Sequence, residues 1–403
     1  MQARIAAIWD KLNTPAEVKF RGHIRELDGL RAIGICLVVI NHVWTKSLSN
    51  VIYQLGNFGW IAMDSFFVMS GFLITGILLD SRDSPGYYRT YYTRRALRIL
   101  PLYYLVLVLW WWIARHTNWG RDSSAMLQHW GSPIWFAFYM GNIKSAVVGA
   151  WPDVRGYIPL WSLQVEEQYY LLFPLAVAWL RRDHLRRLLI AAVILSPVLR
   201  VLTYLWQPAN PYIQYVLLPC HSEGLALGGL IAIRSRGGSW KIPKMSLTLC
   251  MVVLLGAACI GSIMSTYGTQ NWPWTSQWDR LVGYSVSSAG CGCLVLWLIS
   301  FRGSRWTGWM RWAPVQYLGR ISYGIYLLHQ LAMWVIAELA KKGVVHFHKN
   351  DPSYFFEVVA LSLILAAISW HLIEGPFLRL KDRIPYYRDK LRPIEIQQSG
   401  TTA

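Results

Sequence analysis

The sequence is poor in charged residues, and poorest in acidic ones. Asp, Glu, Lys and Arg make up 15% of the chain, only 21 residues are acidic, and 54% of the chain is hydrophobic. This composition does not suit the water-facing surface of a soluble protein of 403 residues, which excludes a soluble enzyme. Apolar stretches of about twenty residues, long enough to cross a bilayer, recur along the chain and predict an all-α, polytopic membrane helical bundle.

Cysteine pairs and metal-binding spacings are also lacking. The six cysteines all fall in apolar segments, where Cys behaves as a small hydrophobic residue, and none has a Cys or His partner at zinc spacing. We therefore expect neither a disulfide framework nor a bound metal. Residues 1–31 contain basic residues but no apolar signal-peptide core or cleavage site, so the first span should be an uncleaved anchor.

Basic residues are plentiful, and their positions indicate topology. The formal net charge of +18 could suggest nucleic acid, but Lys and Arg are spread over short loops and no separate basic domain remains, so we predict no nucleic-acid partner. With both termini in the cytoplasm, 29 of the 39 Lys and Arg residues lie on the cytoplasmic side, as the positive-inside rule requires. The expected organisation is a cytoplasmic segment 1–30, a transmembrane domain 31–377 with a long outer segment 115–158, and a cytoplasmic tail 378–403.

About ten stretches are predicted to cross the membrane. A weaker apolar stretch at 126–143 contains Gln128, His129 and Pro133, which would leave polar groups unpaired in lipid, so we predict that it is re-entrant or interfacial. The predicted crossings are 31–48, 58–80, 99–114, 159–180, 187–206, 212–233, 245–265, 281–301, 318–340 and 355–377.

Ionisable residues within the apolar stretches are the first functional signal, because such residues are costly in hydrocarbon. Arg31 and His42 are eleven positions apart in the first span, so a helix presents both from one face about 16 Å apart along its axis. An imidazole can accept a proton from an alcohol near neutral pH, and an arginine suits a phosphate-bearing ligand from the cytoplasm. The alternative is that Arg31 snorkels to the surface and His42 satisfies a polar neighbour.

Two further motifs contain candidate site residues. Asp64 and Ser70 lie in the second span; Ser70 could hydrogen-bond a ligand or only pack, whereas Gly71 beside it favours close helix packing. Arg95 and Arg98 are three residues apart in a basic stretch, and on a helix they would form one cationic patch at the membrane surface. This patch would suit a phosphate-rich donor, although cytoplasmic arginines are also ordinary topology signals.

Two adjacent carboxylates, Glu166 and Glu167, lie within the fourth predicted span. Adjacent residues point about 100° apart on a helix, so one Glu can face the interior while the other pairs elsewhere. A buried carboxylate could orient a histidine base or hold substrate hydroxyls, and its structural alternative is pairing with an arginine.

Five motifs occur in order along nearly the whole chain: Leu27-Asp28-Gly29-Leu30-Arg31 with His42, Phe66 to Gly71, Arg95 with Arg98, Trp161-Ser162-Leu163 with Glu166-Glu167, and Gly319-Arg320-Ile321-Ser322-Tyr323 with Tyr326 to His329. From about residue 25 to 380 the chain thereby resembles the acyltransferase-3 family of integral-membrane acyltransferases. The resemblance implies transfer of an acyl group, usually acetyl, from cytoplasmic acyl-CoA to a hydroxyl. The acceptor is commonly a carbohydrate at the outer face of a bacterial inner membrane.

The resemblance also implies roles for the candidate residues. It matches His42 to the catalytic histidine and Arg31 to its partner, and Glu166 takes the family's acidic position more securely than Glu167. Arg95 and Arg98 match the donor-side arginines, which Arg31 would assist. The candidate substrate-binding residues are Ser70, Glu167 and Asp64.

The resulting hypothesis is a ternary-complex transfer without a serine acyl-enzyme. CoA phosphates bind the arginines from inside, the acceptor arrives from outside, and His42 removes the hydroxyl proton as the oxygen attacks the thioester. Glu166 would orient the imidazole or help bind the acceptor. His329, Tyr323 and Glu374 in the late motifs are assigned mainly to packing and hydrogen-bond support.

The sequence departs from the family pattern in two places. By the resemblance, His221 and Glu223 stand where many relatives have Arg and Asp, and we expect no counterpart here of the hydrolase-like domain that is fused to some relatives. We therefore expect the acceptor to be held by the membrane domain, by segment 115–158 or by a separate partner. Aromatic residues in that segment and from Trp272 to Trp278 could stack on sugars, although aromatic residues also gather at membrane interfaces.

Two other classes of protein remain open from the residues. Buried His, Arg and Glu also build transporters and flippases, but corresponding interrupted helices in two halves of the chain are not evident. A structural scaffold would explain the packing glycines and leave the stripe of Arg31 and His42 without a purpose.

Overall fold

The computed structural model describes most of the chain. Several predicted features lie outside the described residues: the end of the first span after Val43, parts of segment 115–158, Trp272 and Trp274, and the tail after residue 384. The described residues are 16–17, 23–43, 58–117, 127–128, 132–237, 240–266, 275–344 and 352–384.

Helices form almost all of the described structure. The strands have two residues each: β1 (Ala16–Glu17) pairs antiparallel with β4 (Lys241–Ile242), and β2 (Leu127–Gln128) pairs parallel with β3 (Trp151–Pro152). The helices are α1 (Arg25–Val43), α2 (Ile61–Ser81), α3 (Tyr87–His116), α4 (Pro133–Ala137), α5 (Gly141–Val148), α6 (Leu160–Trp179), α7 (Arg182–Trp206), α8 (Tyr212–Val216), α9 (Leu218–Ser235), α10 (Lys244–Thr266), α11 (Tyr284–Ser300), α12 (Ala313–Lys341), α13 (Pro352–Ser369) and α14 (Gly375–Asp382).

Within the part of the chain that the structure describes, eight helical segments are long and apolar enough to cross a membrane, which confirms the predicted polytopic helical bundle. They are α2, α3, α7, α8 with α9, α10, α11 with the π-helical turn Asp279–Gly283 before it, α12, and α13 with α14 through the π-helical turn Trp370–Glu374. The helices α1 and α6 occupy the two other predicted spans and contain the ionisable residues of those spans. The side of the membrane on which the termini lie stays a prediction.

The main differences from the predicted boundaries concern polar stretches. The sequence predicts a loop over 81–98, but α3 already begins at Tyr87 and therefore contains all three arginines from Arg94 to Arg98. The stretch at 126–143 contains α4 and the start of α5, of five and eight residues, and helices this short do not cross a bilayer. Its position at the outer face stays a prediction.

The helix α1 packs in parallel with α12. The Gln316 amide donates a hydrogen bond of 2.8 Å to the Arg25 carbonyl, and a Cβ added to Gly319 would lie 2.2 Å from the Asp28 carbonyl oxygen. The two helices also meet late in α1, where His42 Nδ1 lies 2.9 Å from His329 Nε2. Side chains late in α1 therefore meet side chains late in α12.

Glycines also allow α2 to meet α9. A Cβ on Gly71 would lie 2.0 Å from the Leu225 carbonyl oxygen, and a Cβ on Gly228 would lie 2.0 Å from the Val68 carbonyl oxygen. No side chain fits between these backbones, which supports the packing role predicted for Gly71.

We expect Gly71→Ala to lower the free energy of unfolding by about 1–3 kcal/mol, because the added methyl group overlaps backbone that cannot move aside. Gly256→Ala is the matched control, since a Cβ on Gly256 meets nothing within 4 Å. Thermal unfolding of the purified proteins in detergent measures the difference. Equal unfolding temperatures for the two variants would contradict the packing role.

Candidate active site

A cavity of about 750 Å³ lies between α1, α2, α3, α6 and α12. It brings together six of the eight residues predicted for the site, although they come from four helices that are far apart in the sequence. These six residues are Arg31, Ser70, Arg95, Arg98, Glu166 and Glu167. Further charged residues also line the cavity, namely His23, Arg25, Asp28, Arg94, Arg320, Glu374 and Lys381.

Cations outnumber carboxylates on the cavity wall, and several are held in place by neighbours. Arg31 Nη1 donates to Asp28 Oδ1 at 2.7 Å, and the guanidinium of Arg95 stacks 3.8 Å from the centre of the Tyr170 ring. Arg98 is exposed to the cavity. An anion that entered this cavity would therefore meet guanidinium groups already turned toward it.

The acidic side of the cavity is organised by hydroxyl groups. Ser70 Oγ donates to Glu166 Oε1 at 2.7 Å, and the Tyr170 hydroxyl donates to Glu166 Oε2 at 3.0 Å. Glu167 Oε1 is buried and has no hydrogen-bond partner among the described residues. Ser70 is thus hydrogen-bonded to Glu166. Among the described residues, neither Glu166 nor Glu167 is hydrogen-bonded to a histidine.

A hydrogen bond between α6 and α12 lies on the cavity wall. Ser162 Oγ and the Tyr326 hydroxyl are 2.6 Å apart, and the Tyr326 hydroxyl also donates to the Pro159 carbonyl. Both side chains line the cavity, whereas His42 does not. His329, one helical turn beyond Tyr326, contacts His42.

The structure places Arg31 and His42 on the side of α1 that faces α12. Arg31 and Ile35 line the cavity beside Gly319 and Tyr323 of α12, and His42 follows Ile35 after two turns of helix, about 10 Å further along the axis. Arg31 at the cavity and the His42 imidazole therefore lie along one face of α1, the face that packs against α12.

The main contact of His42 is one that the sequence analysis did not identify. His42 Nδ1 lies 2.9 Å from His329 Nε2, and the two rings are nearly parallel, with an angle of 5° between their planes. The hypothesis that Glu166 orients the imidazole has no contact to support it, since Glu166 bonds to Ser70 and Tyr170. The Tyr326-to-His329 motif was the available signal, but spacing alone does not reveal which helix it meets.

Asp64 does not line the cavity. It lies in a buried polar cluster between α2, α9 and α11, where Ser288 donates to Asp64 Oδ1 at 3.2 Å and His221 Nε2 lies 3.9 Å from the same oxygen. Arg200 donates to both oxygens of Glu223 at 3.0 Å. Arg200 is thus the partner of Glu223. None of Asp64, Arg200 and Glu223 lines the cavity.

The structure also shows the surroundings of Tyr323, of Glu374 and of the cysteines. The Tyr323 hydroxyl donates to the Ile99 carbonyl at 2.9 Å, and Ser369 donates to Glu374 at 3.1 Å, so both late-motif residues take part in hydrogen bonds between or within helices. All six cysteines are free thiols. Within the described ranges, no group of three or more His, Cys, Asp or Glu could hold a metal ion.

With this geometry in view, comparison with known proteins identifies the family. The model of the acyltransferase domain family matches residues 24–371, so the chain belongs to that family. This match covers every cavity residue except His23, Glu374, Leu378 and Lys381, and it includes His42 and His329. Family membership favours an acyltransferase over the transporter and scaffold alternatives.

Among curated proteins, three relatives illustrate what the chain resembles. A Bacillus subtilis (strain 168) protein provisionally named peptidoglycan O-acetyltransferase YrhL is 28% identical over 88% of this chain and 55% of its own length. The O-acetyltransferase OatA of Staphylococcus aureus (strain NCTC 8325 / PS 47) is 25% identical over 87% of this chain and 56% of its own length. A Komagataeibacter xylinus protein provisionally named membrane-bound transacylase BcsY is 26% identical over 90% of this chain and 84% of its own length.

The chain spans just over half the length of the first two of these relatives. No solved structure matches the chain.

We expect the Arg200 and Glu223 pair to be structural. Replacing either residue alone, by Arg200→Met or Glu223→Leu, leaves a buried charge without its partner and should destabilise the protein by about 3–5 kcal/mol. The double variant removes both charges and should recover most of this loss, as a double-mutant cycle of unfolding free energies will show. Additive losses in the cycle would contradict the pairing.

Proposed function

We propose that this protein is a membrane O-acyltransferase that moves an acyl group, with acetyl as the first choice, from cytoplasmic acyl-CoA to a hydroxyl of a carbohydrate or glycoconjugate. The proposed location is a bacterial inner membrane, with both termini in the cytoplasm. One observation carries this proposal: the helix α1 presents Arg31 to an arginine-lined cavity and, eleven residues later, holds His42 against His329 of α12. The names of the relatives, as O-acetyltransferases and a transacylase, support the same reaction class.

The cavity arginines are proposed to bind the phosphates of CoA. Arg31, Arg95 and Arg98 come from two helices and converge on one space, and guanidinium groups form charge-assisted, often bidentate hydrogen bonds with phosphate oxygens. With the phosphates at these residues, the thioester end of the donor extends along α1. It passes the Ser162 and Tyr326 hydrogen bond to approach His42.

At His42 the reaction follows general base catalysis. The imidazole takes the proton of the acceptor hydroxyl while the oxygen forms a bond to the thioester carbonyl carbon. The carbon–sulfur bond then breaks, and the proton on His42 passes to the departing CoA thiolate. Atoms and charge balance without a metal or a covalent acyl-enzyme.

For the carboxylates we propose roles on the cavity wall in place of a direct contact with the imidazole. Glu166 is held by Ser70 and Tyr170 on the cavity wall, so we assign Glu166 and Ser70 to shaping the cavity and positioning the bound donor. Glu167, with a buried oxygen that lacks a partner among the described residues, offsets part of the charge of Arg95 when the cavity is empty. Asp64 is assigned to the structure of its own cluster.

We expect His42→Ala to lower acyl transfer by about 10²- to 10⁴-fold, because that is the usual contribution of a positioned general base. Donor affinity should stay unchanged, since His42 does not line the cavity. Thiol release from acetyl-CoA, measured on mixing with crude cell-envelope glycans, gives the rate. His184→Ala, at an exposed position, is the control; full activity of folded His42→Ala protein excludes the base role.

The donor site is tested separately. Arg95→Met and Arg98→Met should each weaken acetyl-CoA binding by roughly tenfold or more, because a hydrogen bond to a charged group contributes about 1.5–3 kcal/mol. Arg89→Met is the matched control, since Arg89 lies on the same helix but is not part of the cavity. Calorimetry with acetyl-CoA measures the affinities. Donor binding unaffected by either cavity substitution would remove these arginines from the site.

A further inference from the structure

A second histidine completes the geometry around His42. His329 has no exposed surface, and both of its ring nitrogens have partners. Its Nδ1 lies 2.7 Å from the Tyr326 carbonyl oxygen, and its Nε2 lies 2.9 Å from His42 Nδ1. The Gln330 amide nitrogen is also 3.3 Å from His329 Nε2. These contacts determine which nitrogen carries each proton.

The Tyr326 carbonyl determines the position of the first proton. A carbonyl oxygen can only accept a hydrogen bond, so the 2.7 Å contact requires His329 Nδ1 to carry the proton. In a neutral imidazole the other nitrogen is then an acceptor, and His329 Nε2 accepts from both Gln330 and His42. His42 must therefore carry its proton on Nδ1, which leaves His42 Nε2 with a free lone pair.

We propose that His329 is a positioning residue that holds His42 as the Nδ1–H tautomer and presents Nε2 as the base. This inference rests on the proposed function and adds to it the identity of the group that orients the catalytic imidazole. A catalytic histidine is commonly oriented by a carboxylate at its second nitrogen. In the described part of the chain, no carboxylate bonds to either histidine, and a neutral imidazole that is itself oriented by the backbone takes that place.

The apolar surroundings of the two histidines strengthen the hydrogen bond between them. Buried apolar residues such as Val39, Ile325 and Ala332 lie on the same two helices, and a hydrogen bond among such neighbours is stronger than one in water. When His42 Nε2 gains the acceptor proton, the Nδ1–H···Nε2 hydrogen bond becomes charge-assisted and stabilises the imidazolium ion. The proton on His42 Nδ1 stays in place, and only the Nε2 proton is transferred onward to the thiolate.

Two substitutions separate this role from simple packing. His329→Leu removes the acceptor, so His42 loses its fixed tautomer, and the turnover number should fall by about 10²-fold or more while the KM for acetyl-CoA stays unchanged. His329→Gln offers an amide oxygen where Nε2 was, and it should restore a large part of the turnover. Gln330→Met serves as the neighbouring control and should have a much smaller effect, because His42 keeps its acceptor.

The tautomer itself can be measured. The purified full-length protein is labelled with ¹⁵N-histidine, and the His42 signals are assigned by their loss in His42→Ala protein. We expect an unprotonated Nε2 and a protonated Nδ1 in the wild-type and His329→Gln proteins. A mixture of tautomers is expected in His329→Leu protein. If the Leu variant does not fold, the wild-type and Gln spectra still decide, since a protonated Nε2 in the neutral ring of either protein overturns the proposal.

The kinetic outcomes separate the two proposals. Unchanged turnover in folded His329→Leu protein, with inactive His42→Ala protein, rejects the role of His329 and leaves the base assignment intact. Equal losses in the Leu and Gln variants also reject it, because the acceptor would then be irrelevant. Full activity of His42→Ala protein instead overturns the proposed function together with this inference.

Discussion

The close parallel contact of α1 with α12 is the constraint on which the site depends. Gly319 allows the backbones to meet at Asp28, and this contact near the first turns sets the alignment of side chains much further along. The alignment turns Arg31 toward the cavity and brings His42 within hydrogen-bond distance of His329. A larger side chain at position 319 would therefore act on chemistry many residues away.

A charged side chain inside a membrane bundle needs a polar partner or access to water, because lipid cannot solvate it. Two regions of the described structure differ in how their charges are partnered. Around Glu223 the charges are paired and hydrogen-bonded to one another, which suits a structural role. Around Arg31, Arg95 and Arg98 the cations outnumber the acids and line a cavity, which is why we propose this region as the site of an anionic donor. The two regions therefore differ in whether their charged side chains are paired with one another. We use this difference to distinguish the proposed binding region from the structural one.

Much of this could be predicted from composition and spacing. The scarcity of charge predicted the helical bundle, and the interval between Arg31 and His42 predicted one shared face. The basic stretch at 81–98 shows where such reasoning fails: its arginines favoured a loop, yet they belong to α3 because a polar cavity lies beside that helix. Hydropathy describes a residue by its own chemistry, whereas the cost of burying it depends on neighbours from other helices.

The sequence by itself determined the class of protein, the approximate helices and the candidate residues within each helix, because those features follow from local periodicity and from the energetics of transfer into lipid. Only the tertiary structure decided which candidates meet. Asp64 lies outside the cavity and accepts a hydrogen bond from Ser288, and Glu166 accepts hydrogen bonds from Ser70 and Tyr170. His42 contacts a histidine 287 positions away. Contacts between helices depend on packing that no single helix encodes, so the partner of the proposed base could be found only in the folded chain.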